Sequence, residues 1–254
     1  MMKKVLTLYK ATHSEEQIRS DPSVIGRLVT HGYPSEIELL ADLMVFIIAG
    51  HETSANAVAF LFWELTRHPE KMKRLRSELD YIMPATFSVD IARDTSLISK
   101  IMNLPYLNCC IKESQRLWPA FGGGLLRDLL HDIEYGGYTL PKGSTCVVHL
   151  YSLFRQPWID RYDDFVPERW MEGNPQLGQL KEMFIPFSVG KRSCTGQNMA
   201  MMQARLIAAN FLHYFDFSMV EEACPSFAMF LVLPSLRMRV TKRDCSRTGK
   251  EHNT

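Results

Sequence analysis

From Glu36 to Arg67 the chain runs 32 residues without a proline and with a single glycine, Gly50. Ser35 followed by Glu38 is a capping-box signature, so the pattern predicts one long helix opening there. At 1.5 Å per residue it would span about 48 Å. Its middle is apolar nearly all round, with Leu43 to Gly50 an unbroken apolar run, so the helix should cross the core. A bilayer span needs about 20 such residues, so this run of eight predicts a buried helix and no transmembrane segment. Before it, residues 13–34 are polar and broken by Pro22, Gly26, Gly32 and Pro34, which predicts a loop or short helix. Pro69 opens a charged helix, Pro84 to Lys100 reads as a loop, and Leu107 to Trp118 reads as a helix ended by Pro119.

The pattern then changes. Gly122 to Gly124, Gly136 and Gly137, set among Tyr135, Tyr138 and Thr139, predict hairpin strands, and Thr145 to Leu150 adds another β-rich run. Gln156 to Pro186 is long and irregular, a length of loop that is usually functional. Helix returns from Gln197 to Tyr214, Phe227 to Val240 reads as a last strand pair, and Lys242 to Thr254 as a frayed terminus. The first twelve residues lack the apolar core and cleavage site of a signal peptide.

Composition alters this picture little. Hydrophobic residues make up 46% and charged residues 22% of 254, the balance of a globular chain with an ample core. A net charge of +1 gives no reason to expect nucleic acid as a partner. Six cysteines at irregular positions do not read as a secreted disulfide framework, so one of them is a candidate for chemistry. The eight histidines show no paired metal spacing, and Cys109 and Cys110 have no partners at zinc-ligand spacing.

The richest segment is Phe187-Ser-Val-Gly190-Lys-Arg192-Ser-Cys194-Thr-Gly196, which opens into an apolar helix. A thiolate beside a helix amino terminus is stabilised by the dipole and free N–H groups, and Arg192 adds a positive charge. A phosphate-binding loop is excluded, because Ile185 stands where glycine is needed and Arg192 where Ser or Thr is needed. A lone cysteine at a helix start is more often merely buried than functional. Three further groupings stand in order before it. Ala49-Gly50-His51-Glu52-Thr53-Ser54 interrupts the most apolar part of the chain with an acid beside a hydroxyl, a pair able to relay protons. Glu113-Ser-Gln-Arg116 puts two charges on one helix face, and Pro167-Glu-Arg169-Trp170 follows.

Together these resemble the cytochrome P450 family, whose haem loop reads F-x-x-G-x-R-x-C-x-G and is matched at Phe187, Gly190, Arg192, Cys194 and Gly196. The resemblance implies a mainly α fold with small β-sheets, and haem b (iron protoporphyrin IX) as cofactor. It implies Cys194 as axial ligand to the iron, Phe187 beside the sulfur, and Arg192 and Arg127 on haem propionates. It assigns Thr53 to hydrogen-bonding dioxygen and Glu52 to proton supply, with Ala49 and Gly50 lining the distal face. Glu113, Arg116 and Arg169 would form a buried structural network.

Only the second half of the family's pattern is matched, so the expected organisation is that of a truncated fold lacking the N-terminal half. Residues 1–34 would be a remnant of that half, 35–240 the haem-binding part and 241–254 a flexible tail. The implied activity is insertion of one oxygen atom from dioxygen into a small apolar substrate. Electrons would come from an NADPH-dependent flavoprotein reductase, on the cytosolic face of the endoplasmic reticulum. The alternative is a non-catalytic haem-binding or interaction fragment. Ala120-Phe-Gly-Gly-Gly124 would form part of the pocket wall, where relatives commonly carry proline.

Overall fold

The computed structural model describes residues 2–86, 93–227 and 230–245. The chain divides into two compact units, one up to Glu52 and one from Thr53 onward. In the first unit, residues 2–31 are more helical than expected: α1 (Met2–Thr12), α2 (Glu15–Ser20) and α3 (Val24–His31). Ser14 and Ser23 each cap a helix with the side-chain oxygen, which is how so polar a stretch starts two helices. The long helix α4 (Glu36–Arg67) has the expected bounds, and the Ser35 hydroxyl accepts the Glu38 N–H at its start. Leu39 and Leu43 of α4 cluster with Met2 and Leu6, so the unit boundary falls inside α4 rather than before Ser35.

The expectation that the whole of α4 crosses the core is corrected. Phe60, Leu61, Trp63 and Leu65 are buried, whereas Val45, Phe46, Ile47 and Ile48 are exposed. A best 18-residue window of mean hydropathy 1.4, 17% buried, makes α4 a candidate membrane span by length and composition alone, which the eight-residue run did not suggest. Its last turns pack as a core helix does.

The main core of the second unit lies among α5 (Pro69–Ile82), α6 (Thr95–Met102), α7 (Pro105–Leu117) and α10 (Gln197–Tyr214). Leu75, Leu79, Ile101, Leu107, Ala208 and Leu212 meet there. Part of the expected 84–100 loop is α6, started by Asp94, which accepts the N–H groups of Ser96 and Leu97; residues 87–92 lie outside the described part. No residue of α7 caps its own start, so Glu78 of α5 does, accepting the N–H groups of Tyr106 and Leu107 at 2.8 and 2.9 Å. At the far end of α10, Arg76 donates to the Leu212 and Phe215 carbonyls and to Asp216.

Among the described residues the β structure is four antiparallel pairs. Strand β1 (Leu125–Asp128) pairs with β4 (Thr145–Val148), with Arg127 opposite Cys146. Strands β2 (Ile133–Tyr135) and β3 (Tyr138–Leu140) form a hairpin turned by Gly136 and Gly137 at φ +60° and +83°. Two positive φ values in a row suit glycine and match the strand twist. The expected last strand pair is two different pairs. Strand β6 (Ser226–Phe227) meets β7 (Leu231–Val232), while β5 (Phe215–Met219), continuing from α10, pairs with β8 (Met238–Lys242). The irregular 156–186 stretch contains a 3-10 turn at Pro167–Trp170 and helix α9 (Leu177–Met183), preceded by the short α8 (Leu150–Leu153).

The tail also differs from expectation. Arg243 makes a bidentate ion pair with Asp80 at 2.7 Å to each oxygen, and Cys245 is buried; residues 246–254 lie outside the described part. Buried His213 completes this cluster, its Nδ1 2.8 Å from Asp80. Burial alone would raise the Asp80 carboxyl's pKa, but its bonds to Arg243 and His213 outweigh that and hold it below the ordinary value. A carboxyl lowered by folding stabilises the fold fully above about pH 4, and that contribution is lost as pH falls through the lowered value. In urea unfolding across a pH series, Asp80→Asn should therefore be less stable than the parent above about pH 4, with the gap closing below it. A constant gap would assign Asp80 a purely steric role.

Candidate functional site

The cysteine loop is fixed by its backbone. The Cys194 N–H donates to the Phe187 carbonyl at 2.8 Å, Ser193 N–H to Gly190 at 3.0 Å and Ser188 N–H to Ile185 at 2.9 Å. Gly190 sits at φ +70°, where a side chain would be strained, and opens a short 3-10 turn through Arg192. Ser188 takes a similar left-handed conformation at φ +62° without being glycine, and is held there from outside the loop. Arg127 of β1 donates from Nη2 to the Ser188 hydroxyl at 2.6 Å. Thus a residue 61 positions earlier is brought onto the loop.

Cys194 is a free, exposed thiol immediately before α10. Gly196 is the residue preceding that helix, and a Cβ there would meet only Cys194 Sγ, at 3.8 Å. Lys191 and Arg192 are exposed, and among the described residues Arg192 makes no ion pair. Phe187 and Pro186 of the loop share a cavity with Thr53 and Ala57 of α4, Ala120, and Ala200 of α10. Small side chains from three segments keep that cavity open, at about 50 Å³. The exposed Cys194 thiol is the donor that a thiolate-ligated haem requires, and in that respect the loop residues fit that group. Ala49, Gly50 and Glu52 lie on α4 just before Thr53; a Cβ at Gly50 would meet nothing within 4 Å, and Glu52 is exposed.

Glu113, Arg116 and Arg169 come together in full burial. The Glu113 carboxylate accepts from Arg116 Nε and Nη2 at 3.0 Å each, Arg169 Nε at 2.8 Å, Trp170 Nε1 at 2.8 Å and the Val166 N–H at 2.9 Å. The remaining guanidinium donors reach the carbonyls of Phe154, Tyr162 and Asp164 from Arg116, and of Asp160 and Arg161 from Arg169. The irregular stretch is therefore ordered by side chains that satisfy its backbone, in place of a strand or helix ladder. Glu168 of the same turn accepts from Lys71, Arg74 and Tyr106, tying it to α5 and α7.

Two polar groups here had no sequence signal. Buried Glu64 accepts from Trp118 Nε1 at 2.7 Å, and burial pushes its pKa up. Gln115 was the variable position between Glu113 and Arg116, yet it lies at the wall between the Thr53 cavity and a larger cleft.

A helix-rich fold with small antiparallel sheets, a pinned cysteine loop leading into α10 and a buried Glu–Arg–Arg network defines the class. The family model described as Cytochrome P450 matches residues 9–241. The chain is 33% identical to "Cytochrome P450 750A1" of Pinus taeda, over 75% of this chain and 38% of that protein. It is 31% identical to "Cytochrome P450 3A28" of Bos taurus, over 76% of this chain and 36% of that protein. The crystal structure of "a Cytochrome P450 (CYP102L1)" superposes with a TM-score of 0.81 at 26% identity, covering 95% of this chain and 54% of the other. The chain belongs to the cytochrome P450 family, a family of monooxygenases whose cofactor is haem. It spans a little over a third of the length of these curated relatives.

Proposed function

We propose that this chain is the haem-binding part of a monooxygenase that inserts one oxygen atom of dioxygen into a small apolar substrate. The observation that carries this reading is Cys194, a free and exposed thiol on a loop pinned to Phe187, which in turn shares a cavity with Thr53. A thiolate-held haem supplies the electron density that favours O–O cleavage. Cys194 would hold the iron of haem b through its thiolate. Phe187 would pack beside the sulfur, and Gly190 and Gly196 would let the loop backbone pass close to the haem. Arg192, exposed and without an ion pair among the described residues, and Arg127, anchored on Ser188, bind the propionates.

Thr53 supplies a hydroxyl inside the cavity, while the preceding Glu52 is exposed to solvent and can take up protons there. Ala49 and Gly50, small residues of α4, would leave room beside the haem for dioxygen. Glu113, Arg116 and Arg169 do no chemistry and hold α7 to the segment leading toward the loop. Electron delivery by an NADPH-dependent flavoprotein reductase and a place on the cytosolic face of the endoplasmic reticulum extend the reading from the family.

The test is a reduced carbon monoxide-difference spectrum of the expressed chain with haem supplied. The red-shifted Soret band of a thiolate-ligated haem is the expected result, and its absence would sink the reading. A second reading is favoured by the exposed Val45 to Ile48 of α4: the chain binds haem without turning substrate over. That reading predicts the same band with no substrate-dependent consumption of reducing equivalents when a reductase is added.

A further inference from the structure

Beside the Thr53 cavity, and sharing Gln115, Pro186 and Phe187 with it, lies an open cleft of about 510 Å³. Sites that bury a small organic ligand occupy about 300–1,000 Å³, so the cleft is large enough for one. Phe184, Phe187 and Met201 give its wall apolar surface, and Lys112, Gln115 and Arg205 stand among its polar groups.

Those polar groups share a feature. Gln115 is 9% exposed, and its Oε1 has no hydrogen-bond partner, the amide nitrogen facing Met201 Sδ at 3.5 Å. A buried acceptor left unpaired costs about 1–3 kcal/mol, which a donor entering the cleft would recover. Arg205 is half-buried and, among the described residues, bonds only through Nε, to Asn108 Oδ1 at 2.6 Å. Lys112 lies over the Trp170 ring at 5.9 Å. Among the described residues neither cation makes an ion pair, whereas Lys71, Arg74, Arg116 and Arg169 do. Burial lowers the Arg205 pKa, with no carboxylate to oppose it.

We propose that this cleft is a second ligand site, for a planar or elongated amphipathic carboxylate that also carries an O–H or N–H donor. The carboxylate meets Arg205 and Lys112, the apolar body lies against Phe184, Phe187 and Met201, and the donor reaches Gln115 Oε1. The site does not depend on haem, so its test can fail or succeed independently of the monooxygenase reading. Because Phe187 belongs to the cysteine loop and accepts the Cys194 N–H, occupancy would be felt at the thiol.

A suitable probe is 6-hydroxy-2-naphthoate, with 2-naphthoate as the analogue lacking the donor, measured by equilibrium dialysis against the full chain with and without haem. Saturable one-to-one binding is expected. Gln115→Leu should weaken the hydroxylated probe about five-fold, the worth of one neutral hydrogen bond, and leave 2-naphthoate unchanged. Arg205→Met should weaken both about ten-fold or more, the worth of a charge-assisted contact. If Arg205→Met does not fold, Lys112→Met, a half-exposed position, should weaken both probes in the same direction. No saturable binding, or equal losses of the two probes in Gln115→Leu, overturns the proposal. So does binding that ignores both cation variants while shifting the Soret band, since that places the probe in the haem cavity.

Discussion

Replacing Cys194 by alanine should abolish the red-shifted Soret band of the haem-loaded, carbon monoxide-treated chain while leaving the fold intact. The two halves of that result have separate causes. The thiol is exposed, so removing it leaves no core cavity, and exposed substitutions away from special features stay within about 0.5 kcal/mol. The loop's geometry rests on backbone bonds, Cys194 N–H to Phe187 and Ser193 N–H to Gly190, which alanine keeps. The spectral signature rests on the sulfur alone, because a thiolate pushes charge onto the iron as no other side chain here would. Haem bound to the alanine variant would show the unshifted band of a neutral ligand, or none. An unchanged thiolate band would move the ligand to another cysteine, of which only Cys224 is also exposed.

The opposite pattern is expected of Glu113→Ala, a large loss of stability. Its carboxylate accepts five donors and lies between two guanidinium groups, all three side chains essentially out of water. Removing the acid leaves two like charges buried without a counter-charge, a loss of about 3–5 kcal/mol. For a domain of this size that lowers the midpoint of thermal unfolding by roughly 6–20 °C. Against a total stability of about 5–15 kcal/mol, the variant is expected to accumulate poorly when expressed. Arg116→Lys should fall between, keeping the charge while losing the fork that serves Glu113 and the Phe154, Tyr162 and Asp164 carbonyls together. A melting point within a degree of the parent for Glu113→Ala would mean the network is replaceable.

Much of the helical frame was legible in the residues. The bounds of α4 and α10 follow from capping and breaker residues, Ser35 with Glu38 at one start and Gly196 before the other. The two-glycine turn of the β2–β3 hairpin is equally local. Errors arose where distant partners decide. Residues 243–245 resemble a frayed end until Asp80 and His213 hold them. The middle of α4 reads as core because apolar residues surround it, yet exposure depends on what packs there, and Val45 to Ile48 are left open.

The site divides the same way. The order and spacing of Phe187, Gly190, Arg192, Cys194 and Gly196 are properties of one short segment, and the sequence by itself determined the family and the place of the Cys194 thiol before a helix. The Glu113–Arg116 spacing, by contrast, describes an ordinary surface pair worth a few tenths of a kcal/mol. Only the tertiary structure made it a buried network, by delivering Arg169, Trp170 and five carbonyls from a segment about 40–55 residues away. It alone also set Arg127 on Ser188 and turned the variable Gln115 toward a cleft. Local dihedral preferences and caps act within a few residues, so sequence determines them; desolvation and hydrogen-bond satisfaction depend on what else arrives in space, so only the folded chain decides them.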